Sequence, residues 1–125
     1  MKTEITVLYV DDEPINLFLF SQIFENKFTV ITAESGYAGL HIIENHPVID
    51  VVISDMKMPG MNGIEFIQKA KERYSKIHYY ILTANDITPE IDNALKTGLI
   101  DKYFRKPFKL QEIEFAIKER INSMI

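Results

Sequence analysis

Val51-Val52-Ile53-Ser54-Asp55-Met56-Lys57-Met58-Pro59-Gly60-Met61-Asn62-Gly63 is the stretch from which the rest of the chain can be read. It opens as an apolar, β-branched run and stops in a carboxylate. A loop with one Pro and two Gly residues follows, and then a helical pattern. A single Asp at the end of a buried strand is ordinarily a helix cap or a surface group. Asp55 has company, however. Asp11, Asp12, Thr83 and Lys106 hold the equivalent place after three other strand-like runs.

Working outward, five short apolar runs read as strands: residues 5–10, 28–33, 49–54, 79–83 and 99–104. The third is interrupted only by Asp50. Most are apolar on both faces, as in a parallel sheet covered on both sides. Helical patterns alternate with them. The first runs over residues 14–25, with Pro14 in its first turn. The second runs to residue 45, capped by Ser35 and stopped by Pro47. The third covers residues 64–74. The fourth is capped by Thr88, starts at Pro89 and ends at Gly98. The fifth covers residues 108–123, with Leu110, Ile113, Ile117, Ile121 and Met124 on one stripe. Strand and helix alternating at this spacing predict an α/β fold. It is a (βα)5 doubly wound, five-stranded parallel sheet with helices on both faces and right-handed crossovers, and one domain spans residues 1–125.

Composition narrows the function. The chain has 125 residues, 46% apolar and 26% charged, an ordinary globular balance. It has no Cys, which excludes a disulfide framework, thiolate metal sites and a Cys nucleophile, and suits a reducing, cytoplasmic setting. The opening Met1-Lys2-Thr3-Glu4 lacks the apolar core of a signal peptide. No apolar run approaches the length of a membrane span. A net charge of −4, with no basic cluster before the C-terminal third, argues against direct nucleic-acid binding. The chain ends soon after the fifth helix in Asn122-Ser123-Met124-Ile125, so it reads as a stand-alone domain or as one cut from a longer protein.

In a parallel sheet all strands present their carboxyl ends at one rim. Asp11, Asp12, Asp55, Thr83 and Lys106 therefore meet there. Bringing the carboxylates together requires the third strand beside the first, which selects the flavodoxin-like order 2-1-3-4-5. Clustered carboxylates stay ionised only with a counter-charge. An all-oxygen site with few protein ligands suits Mg²⁺. A carboxylate is also a nucleophile that needs no deprotonation at neutral pH and can form an aspartyl-phosphate. Lys106 would offset phosphoryl charge and the Thr83 hydroxyl could donate to a phosphate oxygen. Taken singly, Asp11 and Asp12 suit a helix cap, Lys106 a solvated lysine and Thr83 a turn. Taken together at one rim, the functional reading is the stronger.

These residues resemble the receiver domain of two-component response regulators, the CheY-like proteins. The resemblance is carried by Asp11-Asp12, Asp55-x-x-Met58-Pro59-x-Met61-x-Gly63, Thr83-Ala84 and Tyr103-x-x-Lys106-Pro107-Phe108, and it covers essentially the whole chain. It implies that Asp55 accepts a phosphoryl group from a histidine kinase or histidine phosphotransfer protein. Asp11, Asp12, Asp55 and the backbone carbonyl of Lys57 would hold Mg²⁺. The resemblance further implies that Thr83 and Tyr103 are paired switch residues with Ala84 beside them, that Lys106 contacts the phosphate, and that Lys106-Pro107 is a cis peptide. It also implies that the face of helix 4, strand 5 and helix 5 changes for an output partner or a homodimer. Two departures stand out. Residues 98–103 are one longer than the usual pattern, and Tyr79 and Tyr80 replace aliphatics in the fourth strand.

On the first helix, Phe20, Ile23 and Phe24 define the expected buried side. Phe18 falls on the wet face and Leu17 at the boundary. Phe18, with Leu17, is expected to anchor a phosphodonor, and Phe115 to belong to an output or dimer face. Two other readings compete with a phosphorylation-controlled module that is not an enzyme. One is a Mg²⁺-dependent phosphohydrolase, but Met56 and Lys57 stand where an acid/base carboxylate would follow the nucleophile. The other is a constitutive interaction domain, against which the intact Asp, Thr and Lys set argues.

Overall fold

The computed structural model describes residues 4–46 and 48–122. The elements alternate as β1 (Thr6–Val10), α1 (Pro14–Phe24), β2 (Thr29–Ala33), α2 (Gly36–Asn45), β3 (Val51–Asp55), α3 (Gly63–Arg73), β4 (His78–Thr83), α4 (Pro89–Lys96), β5 (Lys102–Arg105) and α5 (Leu110–Asn122). The strands form one parallel sheet in the order β2-β1-β3-β4-β5. The switch point lies between β1 and β3, as the carboxylate argument requires.

Alternation along each strand sends side chains to two separate cores. Val7, Tyr9, Val51, Ile53, Tyr80, Leu82 and Phe104 face α1 and α5, where Phe20, Phe24, Ile113 and Ile117 meet them. Leu8, Val10, Val52, Tyr79 and Ile81 face the other way, against Ile43, Ile64, Phe66, Ile67, Ile91 and Ala94 of α2, α3 and α4. Side-chain caps fix several helix starts. Ser35 Oγ accepts from Ala38 N–H and Thr88 Oγ1 from Ile91 N–H. Asn62 and Glu65 form a reciprocal capping box at the start of α3.

Several expectations are corrected. The third strand begins at Val51, because Asp50 makes the connection that precedes it. The Asp50 carboxylate accepts from Thr6 N–H at 2.9 Å, and its backbone bonds Thr6 and His78. Asp50 thus ties together the starts of β1, β3 and β4. Asp50→Ala is expected to cost about 2 kcal/mol, the range for hydrogen bonds to charged groups, and urea unfolding measures it. The fifth strand begins three residues later than expected. Gly98 takes φ +78°, and Leu99 and Ile100 N–H groups both return to Ala94 O, so apolar residues 99 and 100 complete the end of α4. Helix 1 buries a narrower arc than its periodicity suggests. Phe20 and Phe24 are buried and Leu17 packs beside them, while Ile23 is 41% exposed. Tyr79 OH donates to Tyr74 O, and Tyr80 lines a crevice with Asp101, Lys102, Glu119 and Arg120. The expected helix stop at Pro47, the end of the fifth helix at Ser123 and the Met124 position lie outside the described residues.

Candidate functional site

Asp11, Asp12 and Asp55 meet at the carboxyl rim of β1 and β3. Each offers an oxygen, and the three lie within 4.8 Å of one another. Asp11 is fully buried and Asp55 nearly so, while Asp12 is half-buried. The Lys106 ammonium reaches in from the loop after β5, 3.0 Å from Asp55 Oδ1 and 3.6 Å from Asp11 Oδ2. The Lys106–Pro107 peptide bond is cis.

The backbone around Asp55 is held on three sides. Ser54 Oγ donates to Asp55 O at 2.9 Å, Met56 N–H to Leu82 O at 3.0 Å, and Gly63 N–H to Met56 O at 2.9 Å. The last bond turns the Met58-Pro59-Gly60 loop back on itself, with Gly60 at φ +79°, a conformation open to glycine. Thr83 ends β4 one residue beyond the Leu82 that pairs with Asp55. It is buried, and its Oγ1 accepts from Asn85 N–H. Tyr103 pairs with Ile81 on β5 and is half-buried. Ala84 and Lys57 are exposed beside the rim. Phe18 and Phe115 are 58% and 64% exposed on α1 and α5. Leu17 packs against the core, so of that pair only Phe18 presents its ring to solvent.

The capping alternative for the Asp pair does not describe the start of α1. Glu13 holds the N-cap without a side-chain bond, and Asp11 Oδ1 accepts from Glu13 N–H at 3.0 Å. Two contributors escaped the sequence reading. Tyr9 OH donates to Asp11 Oδ2 at 2.6 Å, and Asn16 Nδ2 donates to the same oxygen at 3.2 Å. The period of a strand sets Tyr9 on the side of Asp11, but it does not show that the hydroxyl reaches the carboxylate.

Electrostatics follow from this crowding. Burial pushes the Asp55 carboxyl above its ordinary range. Lys106 pulls it back, Asp11 and Asp12 push it further up, and burial prevails. Burial works against the Lys106 ammonium, yet its hydrogen bond to Asp55 and the charges of Asp55 and Asp11 outweigh it and hold it protonated. Burial, then the bond to Asp11, raises the Tyr9 hydroxyl, so it remains a donor. Three carboxylates facing one ammonium leave a deficit of positive charge, and every donor is a hard oxygen. The residues present therefore fit a divalent cation.

In doubly wound α/β domains ligands bind at the switch point, and here that place holds three carboxylates and a lysine. Comparison with known proteins makes this specific. Residues 7–118 match the profile of the response regulator receiver domain. Sporulation initiation phosphotransferase F of Bacillus subtilis is 32% identical over 114 residues, covering 90% of each chain. The crystal structure of a response regulator receiver domain protein from Clostridium thermocellum superposes with a TM-score of 0.85, at 32% identity and 96% coverage of both chains. The chain belongs to the response regulator receiver domain family, the phosphoacceptor signalling modules of two-component systems. Other curated relatives are longer. The chain spans 32% of a cyclic di-GMP phosphodiesterase of Thermotoga maritima at 30% identity, and 47% of the heme response regulator HssR of Staphylococcus epidermidis at 36%. No helix among the described residues is long and apolar enough to cross a membrane.

Proposed function

We propose that Asp55 is the phosphoacceptor, taking its phosphoryl group from a phosphohistidine on a histidine kinase or phosphotransfer protein. The observation that carries this is the Lys106 ammonium 3.0 Å from Asp55 inside a cluster of three carboxylates. An Asp55 oxygen attacks phosphorus, the P–N bond breaks, and its electron pair leaves on the donor imidazole. Lys106 and the Thr83 hydroxyl receive the phosphoryl oxygens. Asp11, Asp12, Asp55 and the Lys57 carbonyl would hold a divalent cation, Mg²⁺ in this reading, which neutralises phosphoryl charge when bound. Asp55 needs no general base, and Met56 and Lys57 supply no acid/base carboxylate beyond it. The domain is therefore a switch with only self-phosphorylation and self-dephosphorylation chemistry, rather than a turnover enzyme.

In this reading the whole of residues 1–125 is one cytoplasmic receiver domain. Thr83, Ala84 and Tyr103 couple phosphorylation of Asp55 to the face of α4, β5 and α5, which engages an output partner or a second copy, with Phe115 at its margin. Neither nucleic acid nor membrane is a direct partner. The phosphodonor docks on α1, whose Phe18 is exposed together with Ile15 and Leu19. Phe18→Ala is expected to slow transfer from a phosphohistidine protein about tenfold while sparing uptake from acetyl phosphate, which needs no docking surface. Equal rates with the protein donor would remove Phe18 from the interface. Incubation with acetyl phosphate, with and without Mg²⁺ or EDTA, tests the reaction itself. Stoichiometric, Mg²⁺-dependent uptake supports it, and steady turnover of p-nitrophenyl phosphate would favour the phosphohydrolase.

A further inference from the structure

We infer that Tyr9 and Asn16 are positioning residues that fix the Asp11 carboxylate and thereby set the metal affinity of the acidic pocket. The inference rests on the reading that Asp11 belongs to the cation's ligands. A carboxylate has about four lone-pair sites. On Asp11, Oδ2 accepts from Tyr9 OH at 2.6 Å and from Asn16 Nδ2 at 3.2 Å, and Oδ1 accepts from Glu13 N–H at 3.0 Å. The protein therefore occupies both sites on Oδ2 and leaves one on Oδ1. Without Tyr9 and Asn16 the carboxylate could rotate, and Lys106, 3.6 Å from Oδ2, would compete for it.

The phenol is itself held in place. Tyr9 is 1% exposed, and its ring stacks on Phe20 at 4.2 Å and 10°. Phe20 in turn packs against Phe24 and Phe108. Packing alone would be served by a phenyl ring, since a buried hydroxyl brings a polar group that must find a partner. Here the partner is a carboxylate of the pocket. Hydrogen bonds of this kind, to a ligand's remaining acceptor, orient metal ligands and change affinity by about ten- to a hundredfold.

Tyr9→Phe keeps the ring stack and removes only the donor. Mg²⁺ alone is titrated into the unphosphorylated domain by calorimetry or by amide shifts in NMR. Tyr9→Phe is expected to raise the Mg²⁺ Kd about tenfold. The Mg²⁺ concentration for half-maximal uptake from acetyl phosphate should rise in the same proportion, with the rate recovered at high Mg²⁺. A purely structural hydroxyl would lower the metal-free Tm and leave the Kd alone. An unchanged or tighter Kd overturns the inference. Should Tyr9→Phe fail to fold, Asn16→Ala, on the half-buried first turn of α1, decides by the same titration, and an unchanged Kd there overturns it. A wild-type domain that binds no Mg²⁺ would instead defeat the underlying metal reading, a different outcome.

Discussion

Asp55→Asn takes up no phosphoryl group, from phosphohistidine or from acetyl phosphate, with a loss of about 10³-fold or more as read by phosphate incorporation. An amide has no nucleophilic oxygen of comparable strength. The neighbouring carboxylates are poor substitutes: Asp11 accepts three protein hydrogen bonds, and Lys106 pairs most closely with Asp55. The same substitution is expected to stabilise the metal-free domain. Burial holds the folded-state pKa of Asp55 above its unfolded value, so near and above the ordinary carboxylate range the folded state binds more protons. Stability then falls as pH rises through that window, and the penalty is full at neutral pH, where Asn removes it. A higher Tm than wild type is expected at pH 7, the difference shrinking as pH falls through the carboxylate range. Full uptake by the Asn variant would move the nucleophile elsewhere.

The second large effect lies in the loop that closes the pocket. A Cβ on Gly63 would sit 2.4 Å from Asp55 O and 2.8 Å from Ile81 Cδ1. The Ile81 methyl can turn away. The Asp55 carbonyl cannot, because Ser54, Met56 and Gly63 hydrogen bonds fix the backbone on both sides of it. Gly63→Ala is expected to cost about 3 kcal/mol, roughly 10 °C in Tm, and to slow phosphoryl uptake as Asp55 is displaced. Gly98→Ala is the control. Gly98 has open space for a Cβ but φ +78°, so its cost is about 1 kcal/mol of backbone strain. Thermal unfolding of both variants checks the order. Gly63→Ala no less stable than Gly98→Ala would show that the loop yields where the hydrogen bonds say it does not.

The fold was legible because each strand carries a β-branched apolar run and each helix an apolar face, and because carboxylates end two of the strands. Those signals gave the sheet order and the convergence of Asp11, Asp12, Asp55 and Lys106 before any coordinate. What was not legible lay where apolar character and element type part company. Leu99 and Ile100 look like strand residues, yet a glycine-terminated helix claims their N–H groups, and β5 begins at Lys102. Asp50 looked like a flaw in a strand and is instead an acceptor for Thr6, 44 residues away along the chain. Ile23 was expected inside, but α1 rests on Phe20 and Phe24, with Leu17 beside them, and leaves it 41% exposed. Tyr9 and Asn16 were missed because whether their side-chain donors reach the Asp11 carboxylate depends on rotamers, which periodicity does not encode.

The central claim is that one carboxylate of three, Asp55, carries the phosphoryl group. Mass spectrometry of the domain after incubation with acetyl phosphate and Mg²⁺ tests it most directly, with proteolysis to locate the modified peptide. The expected result is a single phosphoryl group on the peptide containing Asp55, absent without Mg²⁺ and absent in Asp55→Asn. A phosphoryl group on the Asp11–Asp12 peptide, or one that survives in Asp55→Asn, contradicts the account.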